Sequence, residues 1–349
     1  MTTGHLNFAK LQNQVQEERK LVSSDNYDIT VQQLIDMFEA GSIIIPPEYQ
    51  RQFVWDSKRE SELVESIFLG IPIPNLFMAT NQDATWEVVD GVQRLCSLAH
   101  FKGSPTTTQK INRDGPLKIT ELKKLTELEG AEFSTLPGPL QLMFSTRPIR
   151  ITVLNDKSDL SVRFDLFERL NTGGVLLSDQ EIRNCVFRGK FNDDLKSIVK
   201  NSDFLNVVKV KASDSKNGML EELALRFFAY LEKYEEFDHS VRNFLNDYMK
   251  NRKDNSLSKE EIDIFKKTFN FLNNELPNGV TRGRNITPIN LYEAISVGVG
   301  LCFKNKKTPK TGVINNHMVS QEIKSLTTGA TNSKARVSGR ITSVYNVVA

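Results

Sequence analysis

The chain has 349 residues, 39% of them hydrophobic and 25% charged, the balance of a water-soluble globular protein with enough apolar material for one large domain or two ordinary ones. It has no run of eighteen apolar residues, and Gln14, Glu17, Glu18 and Arg19 stand where a signal peptide needs an apolar stretch, so a cytoplasmic location without membrane insertion is expected. Net charge is only +2, but residues 279–349 hold ten Lys and Arg against two acids and leave residues 1–278 acidic overall; that asymmetry predicts a polyanionic partner, although a solvated basic helix pair explains it about as well.

Residues 7–22 repeat Phe8, Leu11, Val15 and Val22 near helical spacing, an amphipathic arm that docks on the body or on a partner. Thr30 with Gln33 reads as a capping box for a helix burying Val31, Leu34, Ile35 and Phe38 and ending at Gly41. A short strand over 42–46 follows. Residues 47–55 have no helical period and set Tyr49, Phe53 and Trp55 around Gln50 and Arg51, as a loop over a site does; the aromatics serve equally well as plugs of the core. Ser57 with Glu60 predicts a second capped helix, with Leu63, Val64, Ile67 and Phe68 as its stripe and Gly70 as its stop. Leu76–Thr80 and 85–89 then form a hairpin.

That hairpin feeds Asp90-Gly91-Val92-Gln93-Arg94. Asp90-Gly91 is a tight turn, and Val92, Leu95, Leu98 and Phe101 begin a helix closed by Gly103. The first N–H groups of a helix lack intrahelical partners and lie at its positive end, so a phosphate is favoured there. Arg94 adds a permanently charged fork, Gln93 a neutral donor and acceptor, and Asp90 a carboxylate. A plain surface turn with a capped helix accounts for the same residues.

Residues 104–146 read as an elaborated connection with short helices, 150–154 as a strand, and Val162, Leu166, Phe167 and Leu170 as a helix. Asn171, Thr172, Gly173 and Gly174 break that helix just before a capping box at Ser178 and Glu181. The break is either a second anion cradle, in which glycine lets backbone approach a ligand, or an αα-corner. Beyond residue 191 helical patterns dominate. Basic groups, among them Arg282, Arg284, Lys306, Lys307, Arg336 and Arg340, fall mostly in the predicted connections and tail.

Several chemistries have no support. GxxxxGK[ST] and GxGxxG are absent. The four histidines are isolated and the three cysteines, Cys96, Cys185 and Cys302, show no CxxC spacing, so no zinc site or Cys–His nucleophile is assigned and buried thiols in a reducing compartment are expected. Asp114 with Glu121-Leu122-Lys123 is the nearest approach to a carboxylate–lysine nuclease, and it lacks the strand context.

Pro46-Pro47-Glu48-Tyr49-Gln50-Arg51, a helix to Ile67, Pro72-Ile73-Pro74 and Val88-Val89-Asp90-Gly91-Val92-Gln93-Arg94 resemble, in that order, the N-terminal domain family of GmrSD restriction endonucleases. Phe167-Glu168-Arg169-Leu170-Asn171-Thr172-Gly173-Gly174, with Leu177-Ser178 and Glu181-Ile182-Arg183-Asn184, resembles its second block. The resemblance covers about residues 28–195 and implies an α+β, ParB/sulfiredoxin-like domain in which a glycine turn and its helix hold nucleotide phosphates. It also implies a role in bacterial defence against modified or foreign DNA, beside a partner nuclease or effector and with a homo-oligomer open. Asp90, Gly91, Gln93 and Arg94 match the family's DGQQR motif, and Gln50 and Arg51 its upstream QR. On this reading a nucleoside triphosphate of unspecified base, with or without Mg²⁺, binds these residues together with Asn171, Thr172, Gly173 and Gly174. Arg94 contacts phosphate, Gln93 orients water or phosphate, and Asp90 holds Mg²⁺ or fixes the turn. Val92 replaces the motif's first Gln; if that Gln positions water, hydrolysis here is slow while binding survives. The reactive cysteine of sulfiredoxins is absent from the turn, and no HNH-type nuclease block is recognised. The expected organisation is a helical arm over 1–27, the nucleotide domain over 28–195, and a mainly helical domain over 196–349 that engages DNA through its basic segment. The alternative is a non-enzymatic adaptor for nucleic acid or a protein partner.

Overall fold

A computed structural model describes residues 7–20, 22–46, 53–155, 159–170, 177–283, 285–329 and 331–349. Gln50, Arg51, Asn171, Thr172, Gly173, Gly174 and Arg284 lie outside these residues. The chain forms two compact units, Met1–Leu176 and Leu177–Ala349.

The first unit is built on a mixed sheet of β1 (Ser24–Thr30), β2 (Ile43–Ile44), β3 (Leu76–Thr80), β4 (Trp86–Asp90) and β5 (Pro148–Leu154), in the order β1-β5-β3-β4-β2. The expected hairpin is the antiparallel pair β3–β4. β5 runs parallel to β3 and antiparallel to β1, and β2 runs parallel to β4. Side chains alternate across a strand, so Ile149, Ile151 and Val153 of β5 line the same buried face as Leu76 and Met78 of β3. β1 falls partly inside the stretch expected to be a helical arm. It is an edge strand with only Ile29 buried, held by its ladder to β5 and by pairs such as Asp28–Arg150 at 2.7 Å, so it carries no apolar alternation to betray it.

Helix α1 (Phe8–Lys20) leaves Phe8 76% exposed. α2 (Val31–Glu39) starts where the Thr30 hydroxyl accepts from the Gln33 N–H at 3.1 Å and buries the expected Val31, Leu34, Ile35 and Phe38. α3 (Ser57–Leu69) is capped one residue earlier than the sequence suggests: Asp56 accepts from the Arg59 N–H at 2.9 Å. Glu60 is thereby released from the cap and is buried. α4 (Val92–Lys102) leaves the sheet at Gly91. The connection 104–146 carries α5 (Pro105–Lys110) and α6 (Gly138–Ser145), and it delivers Phe133 and Phe144 to within 5.8 and 5.1 Å of the Phe101 ring. That stretch is a core plug as well as a link. α7 (Leu160–Leu170) ends the unit's described residues.

The second unit is helical, with no strand among its described residues. In chain order it comprises α8 (Asp179–Val186), α9 (Lys190–Ile198), α10 (Ser202–Val207), α11 (Ala212–Lys216), α12 (Met219–Lys233), α13 (Val241–Arg252), α14 (Lys259–Glu275), α15 (Ile289–Lys304), α16 (Ile314–Met318), α17 (Gln321–Thr327) and α18 (Lys334–Val348). α8 and α9 pack on α12 and α13 and fall in this unit. α15 is the buried spine. At Gly298 an added Cβ would come within 2.6 Å of Val344 on α18, so the absence of a side chain lets these two helices close together. The Lys334–Arg340 stretch, read as tail, is the start of α18, because Val337, Ile341, Val344 and Val348 form a helical stripe buried by the unit. No helix among the described residues is long and apolar enough to cross a membrane.

Candidate functional site

The turn after β4 has one geometry open to it. Gly91 sits at φ +103°, and a Cβ there would lie 2.2 Å from Leu76 Cδ2, so conformation and space both require glycine. The same missing Cβ makes room for the Arg94 guanidinium, whose Nη2 and Nε would stand 3.1 and 3.3 Å from that atom. Arg94 folds back to pair with Asp90, Nη2 to Oδ2 at 2.5 Å, with the two side chains 13% and 31% exposed. Arg94 Nε is buried without a hydrogen-bond partner, a donor that a ligand oxygen would satisfy. Val92 is 5% exposed. In this chain the position that departs from DGQQR therefore contributes packing rather than a polar group at the turn.

Gln93 is the second residue of α4. Its Oε1 accepts the backbone N–H groups of Val54 and Trp55, both at 3.2 Å. Its amide oxygen is thereby committed to segment 54–55.

Three residues that the sequence reading did not select support this segment. Glu60, 1% exposed on α3, receives His100 Nδ1 at 2.7 Å and Arg113 Nη2 at 3.4 Å. Arg113 also donates to the Trp55 carbonyl at 3.0 Å and lies over the Phe53 ring at 4.4 Å. Glu60 looked like half of a capping box, and Arg113 sits in the connection between secondary elements, so no local pattern in the sequence singles them out. Cys96 is buried on α4, and burial, with the Glu60 charge adding to it, pushes its thiol up. It is no thiolate nucleophile.

Beyond the second glycine loop, Ser178 and Glu181 cap α8 reciprocally, Ser178 Oγ accepting from the Glu181 N–H at 3.1 Å and Glu181 Oε2 accepting from the Ser178 N–H at 2.8 Å. Arg183 of the same block is 1% exposed and donates to Glu222 at 3.2 Å and to Asn246 at 2.8 Å. This part of the block therefore builds the helical core.

The basic residues expected to meet DNA divide into two groups. Arg340 is fully buried, paired with Glu293 and donating to the Thr331 carbonyl at 2.8 Å. It has no surface to offer a phosphate, and its assignment to DNA is corrected. Arg282 donates to the Met318 carbonyl at 2.9 Å and to Thr327 at 3.1 Å, and Arg336 to the Ser325 and Thr328 carbonyls at 2.5 and 3.2 Å. Arg282 ties the C-terminal end of α16 to that of α17, and Arg336 ties down the end of α17; the last carbonyls of such helices lack intrahelical donors. Lys306 and Lys307, in the turn after α15, are exposed. No group of three or more His, Cys, Asp and Glu side chains that could hold a metal ion occurs among the described residues.

A mixed sheet whose central hairpin runs through an obligatory glycine into a helix, with Asp, Gln and Arg at that helix start, defines a mixed α/β domain. Residues 31–188 match the family model of the GmrSD restriction endonuclease N-terminal domain, and this stretch of the chain is a domain of that family. The match takes in the Asp90–Arg94 turn and the Ser178–Asn184 block, and so extends from the first unit into the second. No curated protein matches the chain.

Proposed function

We propose that this chain is a nucleoside triphosphate-binding component of a DNA restriction system, with its nucleotide phosphates held at the Asp90–Arg94 turn of a ParB/sulfiredoxin-like domain. The GmrSD domain supports the restriction role. The observation that carries the nucleotide reading is the buried, unpartnered Nε of Arg94 beside the helix start. Phosphate oxygens accept from that donor and from the first N–H groups of α4. Asp90 is the carboxylate that would hold a Mg²⁺ accompanying the triphosphate, whose chemistry there is to neutralise phosphate charge; Arg94 then exchanges a carboxylate for a phosphate. Because Val92 is packed into the core, the turn lacks one polar group of DGQQR, and hydrolysis is slow relative to binding. DNA is engaged through exposed lysines such as Lys306 and Lys307, and cleavage is left to a partner nuclease.

Calorimetric titration with Mg-ATP and Mg-GTP tests this reading. Loss of a charge-assisted phosphate contact in Arg94→Ala should cost about 1.5–3 kcal/mol, roughly ten- to a hundredfold in affinity, with the circular dichroism spectrum unchanged. Unaltered affinity in the folded variant would sink the assignment. A second reading is a non-hydrolysing nucleic-acid adaptor in which the same turn contacts backbone phosphate directly; no nucleotide affinity in a titration without DNA is its signature.

A further inference from the structure

We propose that Glu60, His100 and Arg113 are positioning residues for the Asp90–Arg94 turn, acting through segment 53–55 to fix the orientation of Gln93. The affinity arm of the test rests on the nucleotide reading given above; the structural arm does not.

Burying a carboxylate costs several kcal/mol unless partners compensate, so the place of Glu60 in the core is explained only by what it holds. Its first partner is His100. The other ring nitrogen, Nε2, lies 2.9 Å from the Gly115 carbonyl oxygen, and because a carbonyl only accepts, Nε2 carries a hydrogen. Nδ1 then shares a proton with Glu60 Oε2 across 2.7 Å, and the imidazole is fixed at both ends. Its ring forms an edge contact with Phe53, centroids 6.4 Å apart. The second partner, Arg113, covers the other part of the segment: its guanidinium lies over the Phe53 ring at 4.4 Å and donates to the Trp55 carbonyl at 3.0 Å. Phe53 and Trp55 are therefore held from below by two side chains that converge on one buried carboxylate. From that fixed position the Val54 and Trp55 N–H groups both reach Gln93 Oε1. An amide side chain able to rotate presents oxygen or nitrogen; this one has its oxygen fixed on the segment, so an anion at the turn is not met by that oxygen.

The test uses Arg113→Ala, at a side chain one-third exposed, with Glu60→Ala as a stronger disruption and Glu60→Gln as the conservative control. The amide introduced by Glu60→Gln would donate to the unprotonated Nδ1 of a neutral His100 and accept from Arg113, so the network survives. In Arg113→Ala, hydrogen exchange at the Val54 and Trp55 amides should rise about tenfold or more while α3 and α4 keep wild-type protection, and Mg-ATP or Mg-GTP affinity should fall about tenfold. Glu60→Gln should keep both near wild type. A merely structural role would instead loosen α3 and α4 together. Wild-type exchange at Val54 and Trp55 in Arg113→Ala, or faster exchange there with affinity unchanged, overturns the proposal. A wild-type protein that binds no nucleotide removes the function reading, and the exchange of the two amides still decides this one.

Discussion

The Arg340 guanidinium forms an ion pair with the Glu293 carboxylate inside the helical unit, the two side chains 0% and 1% exposed. The pair ends a chain of alternating charge: Glu293 also takes Arg226 Nη1 at 2.6 Å, Arg226 Nη2 lies 2.6 Å from Glu222, and Glu222 receives Arg183 at 3.2 Å. Helices α8, α12, α15 and α18 each contribute at least one member, so one network ties helices distant in sequence into a single core. Glu293→Ala leaves the buried Arg340 without its carboxylate partner and takes one of two from Arg226, and should cost about 3–5 kcal/mol, the loss expected when one partner of a buried ion pair is removed. Urea unfolding followed by circular dichroism reads this directly; a loss below about 1 kcal/mol, the scale of a surface pair, would mean that the network contributes little.

Acid should weaken the same core. Burial pushes the Glu222 carboxyl up, but Arg226 and then Arg183 outweigh it and hold its pKa below the usual carboxylate range. Glu261 is lowered too, with burial opposed by Arg252 and the Ser258 cap. A carboxylate depressed in the folded state stabilises fully above its unfolded value of about 4.3 and loses that contribution as pH falls toward the folded value. The urea midpoint should therefore hold steady near neutrality and decline below about pH 4.3, and Glu222→Gln should decline less steeply. Equal acid slopes in the two proteins would remove Glu222 from the account.

Gly91→Ala should damage the first unit more than a surface glycine would. A non-glycine residue at φ +103° is strained by about 1–3 kcal/mol, and the added Cβ meets Leu76 at 2.2 Å, an overpacking that costs about 1–3 kcal/mol more. Gly115, with nothing within 4 Å of an added Cβ and no positive φ, is the matched control. A melting temperature for Gly91→Ala equal to that of Gly115→Ala would show that the turn relaxes freely.

Local signals in the sequence carried much of the architecture. Helical stripes such as Val31, Leu34, Ile35 and Phe38, the caps at Thr30 and Ser178, and the β3–β4 hairpin feeding Gly91 all follow from residues a few positions apart. What escaped depends on distant contacts. β1 is defined by a ladder to residues more than a hundred positions away. Glu60 resembles a cap until His100 and Arg113 arrive beside it. The positive charge of the last seventy residues looks like one surface, yet three of its arginines serve helix ends or the buried network; composition counts charge and cannot say where it points.

That division sharpens the expected behaviour toward DNA. Each phosphate neutralised on duplex DNA contributes about −0.9 to the slope of log K against log salt. Arg340 has no exposed atom to contribute, and Arg282 and Arg336 are occupied by carbonyl oxygens. Lys306 and Lys307 are exposed, with Lys307 Nζ 5.3 Å from the centre of the Tyr345 ring, and a lysine held by such a contact is readily transferred to a phosphate. Replacing both with Gln should flatten the slope by about 1.8, two contacts at about 0.9 each, and so shrink the affinity gained between about 200 and about 50 mM salt by roughly tenfold. Nucleotide affinity should not change, because neither residue belongs to the Asp90–Arg94 turn. Arg340→Gln should give the opposite pattern, loss of folding stability with no specific change in slope among the molecules that remain folded. A wild-type slope in the double lysine variant would move the DNA surface to other residues, and a slope lowered by Arg340→Gln in folded protein would return that arginine to the interface.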